Sequence, residues 1–151
     1  MLRGRYLIVL GVAIAASSTA AVAQNSAVAR AAEYVVTALQ GATDGLNDRG
    51  WIIRQGFVGH VDSSGTFSHT IRTDRAQRFL VKGFCDQECS DMDLELVTTS
   101  GQVLIADTDV DDTPELRFTA SQVGNRGATV RVKMYDCSTN VCYYSTGVYS
   151  R

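Results

Sequence analysis

The spacing of apolar residues divides the chain into a helical N-terminal part and a longer part with the alternation of β-strands. Between Ser26 and Gln40, apolar side chains recur every three or four residues and so share one face of a helix: Val28, Ala31, Ala32, Val35, Val36 and Leu39. Asn25 or Ser26 can cap the start of this helix, and Gly41 can end it. Because the stripe is mostly alanine and valine, we expect the helix to pack against a sheet or another molecule. The turn-rich stretch from Gly41 to Gly50 is predicted to be a linker.

From Trp51 onward, apolar and polar residues alternate, as they do in strands with one buried face. Eight short segments follow this pattern between turns rich in Gly, Asn and Asp: 51–61, 66–73, 77–85, 91–96, 103–106, 116–118, 130–135 and 141–149. The only proline, Pro114, precedes a strand, where a missing N–H is tolerated. The pattern predicts a mainly β fold, an antiparallel β-sandwich resembling a jelly roll with about eight strands, preceded by one N-terminal α-helix.

The first 23 residues differ from the rest of the chain. Arg3 and Arg5 precede an apolar run from Tyr6 to Ala16, and Ala21-Val22-Ala23 has the small-x-small form of a cleavage site. This is the pattern of a secretory signal peptide, and the apolar run is too short for a transmembrane span. We expect a periplasmic or secreted protein with no transmembrane anchor after cleavage, divided into a signal peptide at 1–23, a helix and linker at 24–50, and a β-sandwich at 51–151.

The chain has four cysteines: Cys85, Cys89, Cys137 and Cys142. An even number of cysteines in an exported chain predicts disulfides, and four cysteines allow three connectivities. We favour the local pairs Cys85–Cys89 and Cys137–Cys142, because the second pair flanks Ser-Thr-Asn-Val, which is typical of a hairpin tip. A zinc site is the alternative, but the pairs are separated by three and four residues rather than the two of the usual motif.

Acidic residues are concentrated between Asp86 and Glu115, a segment with ten of the chain's 16 carboxylates and no Lys or Arg. Crowded carboxylates repel each other unless water, hydrogen bonds or a cation compensates. If 91–96 is a strand, its three acids share one face, and a hairpin through Ser100-Gly101 brings them near the acids of 107–112. Such an arrangement can supply the oxygen ligands of Ca²⁺, and the expected ligands are Asp91, Asp93, Asp107 and Asp109. The alternatives are a solvated acidic sheet edge and Asp side chains that bond their own turns.

Two further groups of side chains are candidates for binding. His60 and His69 share a face if a hairpin turns at 62–65, and together with Asp62 they can bind Zn²⁺ or Cu²⁺; exposed strand histidines are the alternative. Four tyrosines lie near the C-terminus, where they form either an outward platform for sugars or peptides or cross-strand aromatic pairs: Tyr135, Tyr143, Tyr144 and Tyr149.

A series of short motifs follows in a fixed order: Asp91-x-Asp93-Leu94-x-Leu96, Ser100-Gly101, the acidic stretch 107–112, the strand 116–119, and Val123-Gly124 before Val130-Arg131-Val132. In order and spacing, residues 57–150 resemble the bacterial pre-peptidase C-terminal (PPC-like) family of secreted β-sandwich domains. The resemblance implies a non-catalytic domain. Members of that family usually lie beside secreted peptidases and help secretion or substrate binding, and some bind Ca²⁺.

The net charge and the absence of catalytic motifs argue against some classes of function. The formal charge of −2 becomes −4 once Arg3 and Arg5 are removed, which argues against nucleic acid as a partner. No Gly-x-Ser-x-Gly motif is present, and oxidised cysteines are not nucleophiles. We therefore expect a non-catalytic exported binding or accessory module for a protein or glycan, with Ca²⁺ as its candidate cofactor. The alternatives are a structural component of a cell-envelope assembly, docked through the N-terminal helix, and an unrecognised hydrolase.

Overall fold

The computed structural model describes residues 18–73, 77–124 and 127–151, with side chains from residue 26 onward. Residues 1–17 of the predicted signal peptide lie outside this part of the chain. The described elements, in chain order, are α1 Ser18–Asn47, β1 Ile52–Asp62, β2 Thr66–Ile71, β3 Arg78–Cys85, β4 Cys89–Val97, β5 Val103–Asp107, β6 Glu115–Thr119, α2 Ala120–Val123, β7 Ala128–Cys137 and β8 Val141–Ser150. All eight predicted strands are present close to their predicted positions.

The strands form two four-stranded antiparallel sheets that face each other. Sheet A has the order β1-β8-β3-β6, and sheet B has the order β2-β7-β4-β5. The chain crosses between the sheets at every connection except β4 to β5, and this pattern is the strand order of an eight-stranded jelly roll. The predicted fold class is confirmed.

The main core lies between the two sheets, because alternate residues of each strand point inward. Phe79 of β3 stacks on Phe118 of β6, with 5.3 Å between the ring centroids. The inward side chains that are almost fully buried come from both sheets: Ile71, Val81, Met92, Leu94, Leu96, Leu116, Val130, Val132, Met134 and Val148. The polar side chains of the same strands therefore lie on the outer faces of the sandwich.

Helix α1 packs on the outer face of sheet A, mainly against β8 and β1. Val35 is fully buried there, and its carbonyl oxygen accepts a hydrogen bond of 2.7 Å from Ser145 Oγ. Further along the helix, Leu46 belongs to a second buried cluster with Trp51, Leu80 and Tyr149. The prediction that the helix packs against a sheet is confirmed.

The predicted bounds of this helix are wrong at both ends. The chain is already helical at Ser18, within the predicted signal peptide, and it stays helical through most of the predicted 41–50 linker, as far as Asn47. Thr43 Oγ1 lies 2.9 Å from Tyr149 Oη, and Leu46 is buried one turn later. This packing offsets the poor helix propensity of Gly41, which on local sequence alone is a stop signal.

Substituting Gly41 tests whether this segment is helical. A Cβ at Gly41 meets no atom within 4 Å, so Gly41→Ala should raise the free energy of unfolding by about 0.5–1 kcal/mol. The matched control is Gly147→Ala, because its Cβ would lie 2.5 Å from Tyr149 Oη, and such crowding costs about 1–3 kcal/mol. Urea unfolding measures both. A Gly41→Ala protein that is less stable than the unsubstituted chain would mean that the segment is a loop.

Two predicted hairpins are absent from the described sheets, and a third is present. Strand β1 pairs with β8 and β2 with β7, so the turn at 62–65 carries the chain from sheet A to sheet B. The connection between β7 and β8 also passes between sheets. Alternation identifies a strand and its buried face but not its partner, and that is why both pairings were predicted wrongly. The hairpin through Ser100-Gly101 is confirmed, since β4 pairs with β5 and Gly101 has a φ of 86°.

Both favoured disulfides are present, Cys85–Cys89 and Cys137–Cys142. The first joins the end of β3 to the start of β4, and the second joins the end of β7 to the start of β8. Each bond therefore connects sheet A to sheet B. Cys89 lies opposite Cys137 in the β4–β7 pairing, so the two bonds lie side by side at one end of the sandwich.

Candidate functional site

One side of the sandwich is open where the edge strands of the two sheets adjoin. β1 is an edge of sheet A, β2 is the corresponding edge of sheet B, and the two strands are in contact. In the described sheets each pairs along one side only, so its other side presents unpaired backbone N–H and C=O groups. Between them lies a cavity of about 730 Å³, here called the edge cleft, lined chiefly by Gly56–His60, Phe67, His69, Tyr143 and Tyr144.

Aromatic rings fill the inner wall of the edge cleft. The Phe57 ring stacks on the His69 ring at 4.0 Å between centroids, and the Phe67 ring is tilted against the His69 ring at 5.0 Å between centroids. Phe57, Phe67 and His69 occupy core-facing positions, but none of the described strands covers them at this edge. Phe67 is 49% exposed as a result, so aromatic surface is exposed to solvent in the edge cleft.

A glycine allows Tyr144 to close the floor of the edge cleft. Gly59 lies opposite Tyr144 in the β1–β8 pairing, and a Cβ on Gly59 would lie 3.0 Å from Tyr144 Oη. The tyrosine ring therefore lies against the backbone of β1, and its Oη makes a 2.9 Å hydrogen bond with His69 Nε2. Burial raises the pKa of Tyr144 to about 12 and lowers the pKa of His69, so both groups are held neutral.

The half-buried His69 makes stability depend on pH. Burial lowers the pKa of His69 below its ordinary value of 6.5, so the unfolded chain takes up this proton at a higher pH than the folded chain does. The free energy of unfolding should therefore fall as the pH is lowered through 6.5, and the loss should end below the folded pKa. Urea unfolding between pH 5 and pH 8 measures this. His69→Gln should remove that part of the pH dependence, and His60→Gln should keep it. Its disappearance from the His60→Gln protein would contradict the assignment to His69.

The outer rim of the edge cleft is formed by His60 and Tyr143. These residues are paired across β1 and β8, and their rings meet edge to face at 5.7 Å between centroids. His69, in contrast, belongs to sheet B. The predicted pairing of both histidines on one hairpin face is therefore wrong, because its premise, a β1–β2 hairpin, is not the observed pairing. A platform of four outward tyrosines is also wrong, because Tyr144 and Tyr149 are fully buried.

Two of the three acids of β4, Asp93 and Glu95, lie opposite cations of β7. Glu95 Oε2 accepts a 2.9 Å hydrogen bond from Arg131 Nη1, and Glu95 Oε1 accepts one of 2.5 Å from Lys133 Nζ. Asp93 lies opposite Lys133 in the same β4–β7 pairing. Both acids are buried, and β4 is a central strand of sheet B. For these two residues, the alternative of a solvated acidic edge is wrong.

The four predicted Ca²⁺ ligands come from two neighbouring segments. Asp91 and Asp93 lie on β4, Asp107 ends β5, and Asp109 lies in the loop that follows. Asp107 accepts hydrogen bonds from two backbone amides, those of Asp109 at 3.3 Å and Glu115 at 2.7 Å. Burial raises the pKa of Asp93, and the charge of Asp91 raises it further.

These contacts assign turn chemistry to Asp107, as one alternative predicted. Across the described ranges, no group of three or more His, Cys, Asp or Glu side chains is placed to hold a metal ion. Calcium binding stays a prediction. Calorimetric titration of Ca²⁺ into the oxidised protein tests it, with Asp93→Asn as the variant that should abolish the heat.

The edge cleft was missed from the sequence because it is made by two strands that adjoin only in the folded sandwich. One local signal was available. Gly59 is one of two glycines in the strand pattern of 51–61, and a glycine inside a strand often marks a close approach of another group to the backbone. Here that group is the ring of Tyr144.

Fold and cleft together define a jelly-roll β-sandwich with an aromatic opening at one edge. No protein-family model matches the chain, and no curated protein matches it. Among solved structures it is similar to PliG of Aeromonas hydrophila, a periplasmic inhibitor of g-type lysozyme, with 10% sequence identity, a TM-score of 0.45, and coverage of 64% of this chain and 85% of that chain. A likeness of this size transfers neither family nor function, and the PPC-like resemblance stays a prediction. Where the structure describes helices, none has the length and apolarity that a membrane span requires.

Proposed function

We propose that this chain is an exported, non-catalytic binding module that captures an extended segment of a partner polypeptide at the edge cleft. The observation that carries the proposal is the position of β1, an edge strand of 11 residues, beside the aromatic opening. An extended peptide can add a strand to such an edge through backbone hydrogen bonds, while its alternate side chains enter the neighbouring cavity.

The composition of β1 supports this use of the edge. Exposed edge strands usually carry lysines, prolines or inward charges that prevent pairing with another chain. β1 contains no Lys or Pro, and its charged residues, Arg54 and Asp62, lie outside the stretch 55–61. Its middle part is open to an incoming strand.

The lining of the edge cleft sets the kind of side chain that fits. The described residues of the lining include no Lys, Arg, Asp or Glu, and two of its apolar side chains, Val58 and Phe67, are each 49% exposed. Covering them with apolar or aromatic side chains of a partner removes this surface from water, which is the main driving force of association. The cleft therefore favours a segment with apolar residues at alternate positions.

Two features support export. The N-terminal pattern is that of a signal peptide, and four oxidised cysteines are typical of the periplasm or the exterior. A structural role in an envelope assembly and a hydrolase activity stay alternative predictions. The first needs a free apolar helix face, and α1 already uses Val35 and Leu46 within the molecule.

Selection from a random peptide library displayed on phage tests the proposal. With the oxidised protein recovered after export as bait, we expect enrichment of peptides with apolar residues at alternate positions. Phe67→Ser combined with Val58→Ser should weaken the selected peptides at least about tenfold, the loss expected when central apolar contacts are removed.

Val103→Ser is the matched control for this selection. Val103 is 44% exposed on β5, the edge strand at the opposite side of sheet B. This variant should bind the selected peptides as the unsubstituted protein does. A library that yields no enriched peptides, or peptides that the Phe67 and Val58 substitutions leave unaffected, would overturn the proposal.

A further inference from the structure

A second cavity adjoins the edge cleft on the side of helix α1. It has a volume of about 380 Å³, and it adjoins the edge cleft because His60 and Tyr143 line both cavities. Its remaining walls include Val28 and Ala31 of α1, and its acidic side chains are Asp86 and Glu88 of the turn between β3 and β4. We call this cavity the acidic pocket.

The carboxylate of Asp86 is fixed in place, and one of its two oxygens has a hydrogen-bond partner. Its Oδ2 accepts a 2.7 Å hydrogen bond from the backbone N–H of Tyr143, and its own N–H donates to the Tyr143 carbonyl at 3.0 Å. The residue is 2% exposed, yet Oδ1 has no hydrogen-bond partner in the described structure. Buried polar oxygens are almost always paired, so an unpaired carboxylate oxygen beside a cavity indicates a missing partner.

The charges around the acidic pocket indicate that this partner is a cation. Among the residues that the structure describes, its lining has two carboxylates and no Lys or Arg. Arg30 lines a neighbouring small cavity of about 140 Å³ together with Asp86 and Glu88, but in the described structure no salt bridge joins it to either carboxylate. A negative end and apolar walls match a side chain with an aliphatic stem and a charged head.

We infer that the acidic pocket holds a lysine or arginine side chain of the polypeptide segment that the edge cleft captures. The ammonium or guanidinium group pairs with Asp86 and Glu88, and the stem lies against Val28 and Ala31. This inference rests on the proposed function and adds a charge requirement to it. A preferred segment then has a basic residue close in sequence to the apolar residues that enter the edge cleft.

Peptide selection gives the first test. Enriched peptides should carry Lys or Arg at a constant distance from their apolar residues. Asp86→Asn combined with Glu88→Gln should weaken them about tenfold or more, as expected for loss of a desolvated ion pair. The asparagine amide oxygen can still accept the Tyr143 N–H, which keeps the turn folded. Asp48→Asn, an exposed acid beyond the other end of α1, is the control and should have no effect.

A small cation gives a second test that does not depend on peptides. n-Butylammonium, added to the oxidised protein, should cause saturable NMR shifts at the amides of Asp86 and Tyr143. n-Butanol, which has the same stem and no charge, should not, and the shifts should be absent from the Asp86→Asn, Glu88→Gln protein.

The outcomes distinguish failure of the proposed function, peptide binding at the edge cleft, from failure of the acidic pocket as a subsite for a basic side chain. Apolar peptides selected without a basic preference would leave the proposed function standing and overturn the acidic pocket as its subsite. A saturable n-butylammonium response with no peptide enriched would support a cation pocket and overturn the polypeptide as its ligand. Absence of both the response and the basic preference would overturn this inference.

Discussion

Loss of both disulfides will lower the free energy of unfolding by about 4 kcal/mol. The bonds span sequence separations of 4 and 5 residues, and loops of this size give about 2 kcal/mol each by constraining the unfolded chain. The variant to measure replaces all four cysteines with alanine, and urea unfolding of the oxidised protein gives the reference value.

The position of the bonds leads us to expect that the double loss is at least the sum of the single losses. Each bond joins sheet A to sheet B at the same end, so either one alone keeps that end closed when the other is removed. Removing only the Cys85–Cys89 pair, or only the Cys137–Cys142 pair, should cost about 2 kcal/mol. A four-alanine protein whose free energy of unfolding lies within about 1 kcal/mol of the oxidised protein's would contradict this account. A difference that small is expected of substitutions that remove no important interaction.

The same bonds border the acidic pocket. Asp86 and Glu88 lie within the Cys85–Cys89 loop, and the turn inside the Cys137–Cys142 loop also lines the pocket. Reduction should therefore abolish the n-butylammonium response before the protein unfolds. This connects the redox state expected of an exported protein to its proposed binding surface.

The second large effect is expected at Glu95. Glu95→Gln removes the charge that pairs with Arg131 and Lys133 and leaves these two cations close together. Breaking a buried ion pair in this way costs about 3–5 kcal/mol, and we expect the lower end because both cations keep partial exposure. Urea unfolding at neutral pH measures the loss. A cost within about 0.5 kcal/mol of zero would assign this cluster to weak surface pairs.

Replacement of the whole cluster by uncharged residues gives the control. A protein with Asp93→Asn, Glu95→Leu, Arg131→Met and Lys133→Met leaves no unpaired charge in the cluster, because Asp93 lies opposite Lys133, and apolar groups of similar volume often equal or exceed the ion pairs they replace. Its stability should return to near that of the unsubstituted chain. If this fourfold variant is less stable than Glu95→Gln, the cluster contributes through its hydrogen bonds rather than through charge balance.

Strand positions followed from the sequence because each strand has one buried face. The alternation at 130–135 marks Val130, Val132 and Met134 as core residues, and all three are buried between the sheets. Strand partners did not follow, because the same alternation fits any neighbour. The chain therefore allowed a β1–β2 hairpin that the sandwich does not use.

Elsewhere, long-range contacts override local signals. Gly41 is a local stop signal, but the burial of Leu46 against sheet A extends α1 past it. Glu95 belongs to a segment without basic residues, yet its cations come from β7, which lies 36 and 38 positions further along the chain. The edge cleft has the same origin, since it requires β1 and β2 to be the adjoining edges of different sheets.

Amide hydrogen exchange of the oxidised protein, with and without a selected peptide, tests the central claim that β1 receives an added strand. The account predicts that the amides of β1 that face away from β8 exchange freely in the unbound protein and become protected in the complex, while β5 and β6 at the opposite edges stay unchanged. Protection confined to β5 or β6, or a peptide that binds without protecting any amide of β1, would contradict it.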